Sequence, residues 1–329
     1  MRQQHERRDH FQEVTNTILK ALEEGTKPWV RPWDPDLAGG PQAPFNPTTG
    51  KRYHGINVLL LAMSPLAFCS GDPRWMTYQQ AQTKGYQVRK GEKSTGIFFF
   101  KPLEIENKDR DEGDPETRTI GMLRAYSVFH ASQIDGIPAY KVPTVEEAPW
   151  TRPEAANIIL TNSRAVLRIG GDRAFYSPST DHIQLPPECA FNGPHEWAAT
   201  ALHELGHWTG HPSRLDRDLR NRFGSAAYAM EELRAELSSA FVGSTLGLPT
   251  DIPQHASYLA SWIKALKEDK REIFRAAADA QKIADLVLNF HPDYAATLEP
   301  EAEAEKAEIV PVAGLLPRPV NQPIAGLTH

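Results

Sequence analysis

Cysteine is nearly absent: Cys69 and Cys189 are the only two in 329 residues. So distant a pair makes no disulfide framework and no cysteine-based zinc site, and a reducing, cytoplasmic setting is the simpler reading. Long apolar runs are missing too. The longest, Val58 to Met63, falls far short of the ~20 residues that cross a bilayer. The opening MRQQHERRDH lacks the apolar core of a secretory signal. No membrane partner is expected, and no internal repeat is visible.

What is present is ordinary for a globular chain, 40% hydrophobic and 24% charged. At roughly 100–200 residues per domain, the length predicts two domains. Charge is spread unevenly. Residues 1–101 hold 14 Lys and Arg against 9 Asp and Glu, and the remainder holds 22 against 33. A basic front and an acidic back suggest different partners for each.

Apolar spacing predicts helices over Phe11–Glu24, Ile56–Met63 and Tyr78–Thr83. VRKGEKSTGIFFFK (88–101) reads as a hairpin about Lys-Gly-Glu-Lys, and AYSVFH (125–130) as a strand. Residues 104–116 are polar and read as a loop, and the proline-rich 136–153 as the linker. Beyond it a helix is expected near Glu154–Arg164, then strands at 174–176 and 182–185 about the turn Ser177–Asp181. Helices follow over Glu196–Trp208, Ala226–Leu246 and, as one long element, His255–Asp279, with another running to Asn289. The acidic, then proline-rich, residues 293–329 are expected to be a disordered tail.

The chemistry concentrates in ATALHELGHWTGH at 199–211. His203 and His207 are four apart and share one helix face, so their imidazoles can take two corners of a zinc tetrahedron. Glu204, beside the first His, can act as general base toward a water that the metal activates. The helix is otherwise apolar, and Gly206 leaves room for a neighbouring backbone. His211 follows Gly210, past the helix end, and Ser213 stands where a metzincin would carry its third His, so that pattern is set aside.

A third ligand is therefore sought in YAMEELRAELSSAF at 228–241, where Glu232 and Glu236 are four apart among small residues. One carboxylate can bind metal and the other can accept the free N–H of a ligand His. The arrangement resembles that of the gluzincin peptidases. That resemblance implies Glu232 as ligand and Glu236 as its support, while geometry leaves the reverse open. Glu231 points off that face and is expected at the surface. Upstream, AFYSPSTDHIQLP supplies an edge strand for substrate backbone, with Tyr176 a candidate to polarise a carbonyl.

In the front half, aromatics and cations interleave: Lys27, Trp29, Arg31 and Trp33, then Arg52 and Tyr53, Arg74 and Trp75, and Arg89, Lys90 and Lys93. Stacking rings beside positive charge suit single-stranded nucleic acid.

With GTKPWVRPW, NPTTGKRYHGINVLLL, VRKGEKSTGIFFF, YSPSTDHIQLP, HELGHWTGH, RFGSAAYAMEELRAEL and HASYLASWIKALKEDKREIFRAAADAQ, the chain from about residue 11 to 290 resembles the ArdC-type antirestriction proteins of plasmids and phages. The resemblance implies an α+β protein of two domains. Residues 1–135 would be a mixed α/β domain that binds single-stranded DNA. Residues 154–292 would be a mainly helical zincin-like metallopeptidase domain with a small sheet. It also implies zinc, or another divalent ion, as cofactor, and protection of incoming DNA from host restriction during conjugation or infection. Two other readings are a metallopeptidase that cleaves a regulatory protein, and a pure single-strand shield with a structural metal.

Overall fold

The computed structural model describes residues 9–29, 43–68, 72–106, 117–141, 152–219, 225–248 and 256–295. Arg31, Trp33, Cys69 and the expected tail beyond Ala295 lie outside them. Helix α1 (His10–Glu23) starts at Asp9, whose carboxylate accepts from the Gln12 amide, and stops before Gly25, at φ +76°. It buries Val14, Ile18, Leu19 and Leu22. A short helix α2 (Ile56–Ala62), strand β1 (Trp75–Thr77) and helix α3 (Tyr78–Thr83) follow, α3 opening on a Thr77/Gln80 capping box.

Strands β3 (Thr95–Glu106) and β4 (Thr117–His130) form a long antiparallel ribbon, and β1 adds to the far side of β4. The expected hairpin about Lys-Gly-Glu-Lys is not formed. Strand β2 (Gln87–Val88) pairs instead with β5 (Ile134–Asp135), which lies just past the end of β4. The turn chemistry was read correctly as a turn, but the partner of β2 is set by tertiary pairing.

The second part begins with α4 (Arg152–Ser163) and a three-stranded sheet in the order β6-β8-β7. Strand β6 (Val166–Ile169), absent from the sequence expectation, runs parallel to β8 (His182–Leu185), and β7 (Phe175–Ser177) is the antiparallel edge. Helix α5 (Pro194–Trp208) has Pro at its first turn, which loses no helical hydrogen bond there. Helix α6 (Ala226–Leu246) is capped by Ser225 and ended by Gly247, at φ +72°. The expected long helix from His255 is two: α7 (Ala256–Glu268) and α8 (Glu272–Asn289), broken around Asp269–Arg271. A short α9 (Pro292–Ala295) follows.

One hydrophobic cluster joins both parts. It contains Ile18, Leu22, Trp29 and Leu59 from the front, and Leu205, Leu233, Trp262 and Ile283 from the back. The Phe11 ring meets Phe274 edge-on at 4.8 Å, and Trp29 lies 5.9 Å from Trp262. A Cβ on Gly206 would meet Ser238 Oγ at 3.2 Å and Ile283 at 3.6 Å, so this glycine lets α6 and α8 close on α5.

Candidate metal centre

Helices α5 and α6 pack face to face, and their polar side chains meet in an otherwise apolar core. Glu232 lies 3.8 Å from His203 Nε2 through one oxygen and 3.6 Å from His207 Nε2 through the other. Ligand atoms of these three residues all lie within 4.8 Å of one another. The remaining ring nitrogens point outward to partners. His203 Nδ1 meets Ser239 Oγ at 3.2 Å, and His207 Nδ1 meets Glu231 Oε1 at 3.3 Å. The Tyr228 hydroxyl bonds to the Glu232 carboxylate. Each candidate ligand is thus oriented from behind, and the two Nε2 atoms are turned toward Glu232. Two imidazoles and one carboxylate so oriented fit a divalent metal such as zinc, with a coordination position left for water or substrate.

The electrostatics are those of charged groups out of water. Burial, with His207 beside it, pushes the His203 imidazole down to about 3, so it is neutral and has a lone pair to give. Burial raises Glu204 to about 7. Burial also opposes ionisation of Glu232, but the hydrogen bond and charge of His207 outweigh it and hold that carboxyl at about 2. His207 goes the other way: although burial disfavours its charge, Glu231 and Glu232 raise it well above the usual imidazole value. In the metal-free chain a proton on His207 balances the two carboxylates, and metal binding would replace it.

Glu231 is buried, contrary to the surface position expected for it, and it takes the part expected of Glu236. Its carboxylate sits between His207 and the Arg217 guanidinium, with Arg217 Nη2 at 2.8 Å. Arg217 also donates to the Gly206 carbonyl and to Thr209 Oγ1, so it caps the C-terminus of α5 while anchoring Glu231. Glu236 is fully buried one turn further along α6 and accepts from Lys27 Nζ at 3.2 Å. Glu231, Arg217, Ser239 and Tyr228 were all missed. Two cations directly after a His-rich helix end, Arg214 and Arg217, were the available signal.

The Tyr176 main chain lies near Glu204 and favours its ionised form, though less than burial disfavours it. The Tyr176 hydroxyl does not take the carbonyl-polarising place expected of it. It bonds to Asp181 Oδ1 at 2.8 Å, with Arg214 Nη2 at 3.4 Å, and burial raises the phenol far above its ordinary value. Arg214 in turn stacks 3.7 Å over Trp208 and donates to its carbonyl, tying the 177–181 turn to the end of α5. His211 bonds to Ser213 and is not among the converging ligands.

The residues chosen for nucleic acid are dispersed. Trp29, Tyr53 and Trp75 are buried, so none offers an open ring face. Lys27 is bonded to Glu236, and Arg52 donates to Thr245 Oγ1 at 3.2 Å and lies 5.9 Å from the Tyr294 ring. Arg74 forms a two-pronged pair with Asp72 and donates to the Pro138 carbonyl. Arg89, Lys90 and Lys93 lie together on one turn; Arg89 pairs with Glu92 and Asp135, and Lys90 is exposed. Large aromatic rings do remain open at Tyr78 and Phe100, 47% and 55% exposed.

Comparison with known proteins agrees with this geometry. A family model for the N-terminal domain of the anti-restriction factor ArdC matches residues 8–129, and one for a zincin-like metallopeptidase matches residues 154–279. Crystal structures of the antirestriction ArdC protein from the R388 plasmid, one metal-free and one Mn(II)-bound, superpose with a TM-score of 0.70 at 37% identity. They cover 87% of this chain and 99% of theirs. An uncharacterized protein of Sinorhizobium fredii, y4eC, is 40% identical over 281 residues, or 84% of this chain and 91% of that protein. The DNA primase TraC of Escherichia coli is 50% identical over 293 residues, 85% of this chain. This chain spans only 27% of that TraC and 20% of a second. Among the described residues no helix is long and apolar enough to cross a membrane.

Proposed function

Because this chain belongs to the ArdC family of antirestriction proteins, with a zincin-like second part, we propose that it binds single-stranded DNA through its front half. We propose further that it carries a zinc-dependent peptidase centre in its back half, and that it protects incoming plasmid or phage DNA from host restriction. The observation that carries the peptidase reading is the convergence of His203, His207 and Glu232, with Glu204 next in sequence to His203 on α5 and near enough to His207 and Glu232 to feel their charges. A site serving only to hold metal needs ligands but no general base. Burial raises the Glu204 carboxyl to about 7 in the metal-free chain, and a carboxylate held out of water beside the ligands is suited to accept and return a proton.

In this reading His203, His207 and Glu232 hold the ion, which would supply a Lewis acid and an activated water. With the ion bound, Glu204 would take a proton from the attacking water and return it to the leaving amine as the peptide bond breaks. The Tyr176 main chain, near Glu204, favours its carboxylate form. Edge strand β7, beside α5, offers main-chain groups to an extended substrate.

The DNA reading is supported by the positive balance of residues 1–101, by the Arg89–Lys93 turn, and by the open rings of Tyr78 and Phe100. The test is binding of single- against double-stranded oligonucleotides, with metal content measured on the same sample. Strong single-strand preference with one metal per chain supports the whole reading. Metal without DNA binding removes the DNA part and leaves a peptidase of another target.

A further inference from the structure

The proposed metal centre lies in the part of the chain matched as zincin-like, yet one charged group beside it comes from the other end. Lys27, in the turn after α1, reaches across to α6 and donates to Glu236 at 3.2 Å. Glu236 has no exposed surface, and the Lys27 side chain is 16% exposed. Glu236 sits one helical turn beyond Glu232 and three residues before Ser239, which holds His203 Nδ1. Lys27 is close enough to His203 for its charge to act on that imidazole. Trp29, two residues on, is packed against Trp262 and fixes where the Lys27 backbone lies.

We propose that Lys27 is a positioning residue of the metal centre, acting through Glu236 on the turn of α6 that presents Glu232 and Ser239. The centre is therefore completed by the N-terminal part of the chain. This rests on the assignment of His203, His207 and Glu232 as ligands. A buried carboxylate is tolerated when a cation lies against it; without one, it draws water or a neighbouring donor into the core. Glu232 and the ligand holder Ser239 lie four residues before and three after Glu236, on the same side of α6, so the disturbance falls on them. Groups that orient ligands from behind typically affect metal affinity by about 10–100-fold.

The test measures the zinc dissociation constant of the full chain by competition with a chromophoric chelator. The variants are Lys27→Met, Lys27→Arg, Glu236→Gln and the double variant Lys27→Met/Glu236→Gln, with folding followed by circular dichroism. The double variant deletes both charges together, so it keeps the test open if Lys27→Met alone fails to fold. Lys27→Met is expected to weaken zinc by about tenfold or more, and Lys27→Arg to restore most of the loss. In the Glu236→Gln background, Lys27→Met is expected to change nothing. Equal loss in both backgrounds, or a folded Lys27→Met chain with unchanged affinity, overturns the proposal while leaving the ligands in place. A parent chain that binds no zinc overturns the ligand assignment and this proposal with it.

Discussion

Glu231 holds His207 Nδ1 at 3.3 Å with one oxygen, and that same oxygen accepts from Arg217 at 2.8 Å. The imidazole, the carboxylate and the guanidinium form a line from the proposed metal position to the end of α5. Glu231→Gln keeps the shape but removes the charge that raises the basicity of His207. It is expected to weaken zinc binding by about 10–100-fold with little change in fold. Chelator competition on the folded variant measures this, and an unaltered affinity would return Glu231 to a merely structural part.

His203→Ala deletes one proposed ligand and leaves Glu232 facing one imidazole instead of two. Elemental analysis of the purified variant should find metal reduced to about a tenth of one ion per chain or less. Full zinc content would refute the ligand assignment.

Glu204 gives a pH signature of its own in the metal-free chain. Its folded value of about 7 stands above the ordinary 4.5. Below the ordinary value both folded and unfolded chains hold the proton, and there is no penalty. As pH rises from there toward 7, the unfolded chain ionises first, and stability falls. Glu204→Gln removes that loss. It should be more stable than the parent by up to about 3 kcal/mol near pH ~8 and no more stable below pH ~4.5. Denaturant melts at the two pH values measure it. Glu232, held at about 2, has the opposite slope: its contribution is complete above the ordinary carboxyl value and is lost as pH falls toward about 2.

The described rings expected to stack on DNA, Trp29, Tyr53 and Trp75, are all buried. Trp75 is 1% exposed and Trp29 4%. Truncating either to Ala should cost about 3–5 kcal/mol of stability, read as a lower denaturation midpoint. Changing Lys90 and Lys93 to Ala should leave stability within about 0.5 kcal/mol. It should weaken single-stranded oligonucleotide binding at every sequence and flatten its salt dependence. A salt slope unchanged by that double substitution would move the interface away from this turn.

The helices of the candidate site were legible because their signals are local. Apolar residues at helical spacing, Gly247 after Leu246 and Gly210 just past α5 each mark an element without help from the rest of the chain, although Pro194 starts α5 two residues before the expected Glu196. The shared face of His203 and His207 follows from the same period. What was illegible depended on distant chain. Val88 pairs with Ile134 because the two strands meet in the fold, and nothing in VRKGEKSTG announces it. Glu231 lies off the Glu232 face of α6, and a helical wheel sends it to solvent. The loop carrying Arg217 covers that flank as well. A tryptophan beside an arginine is a stacking platform or a core residue according to packing alone, and Trp29 and Trp75 are core.

Helix α1 lies on α7 and α8, tied by Lys267 to Glu23 at 2.6 Å and by the Phe11–Phe274 contact. The match to the far longer TraC takes in 85% of this chain, more than either family-model region alone. A recombination break between the two regions would leave Phe274 and Trp262 without their partners on both fragments, and such hybrids should be recovered as insoluble protein. Fusions that carry the whole block should stay soluble, which makes the pair of regions, and not either one, the unit that folds.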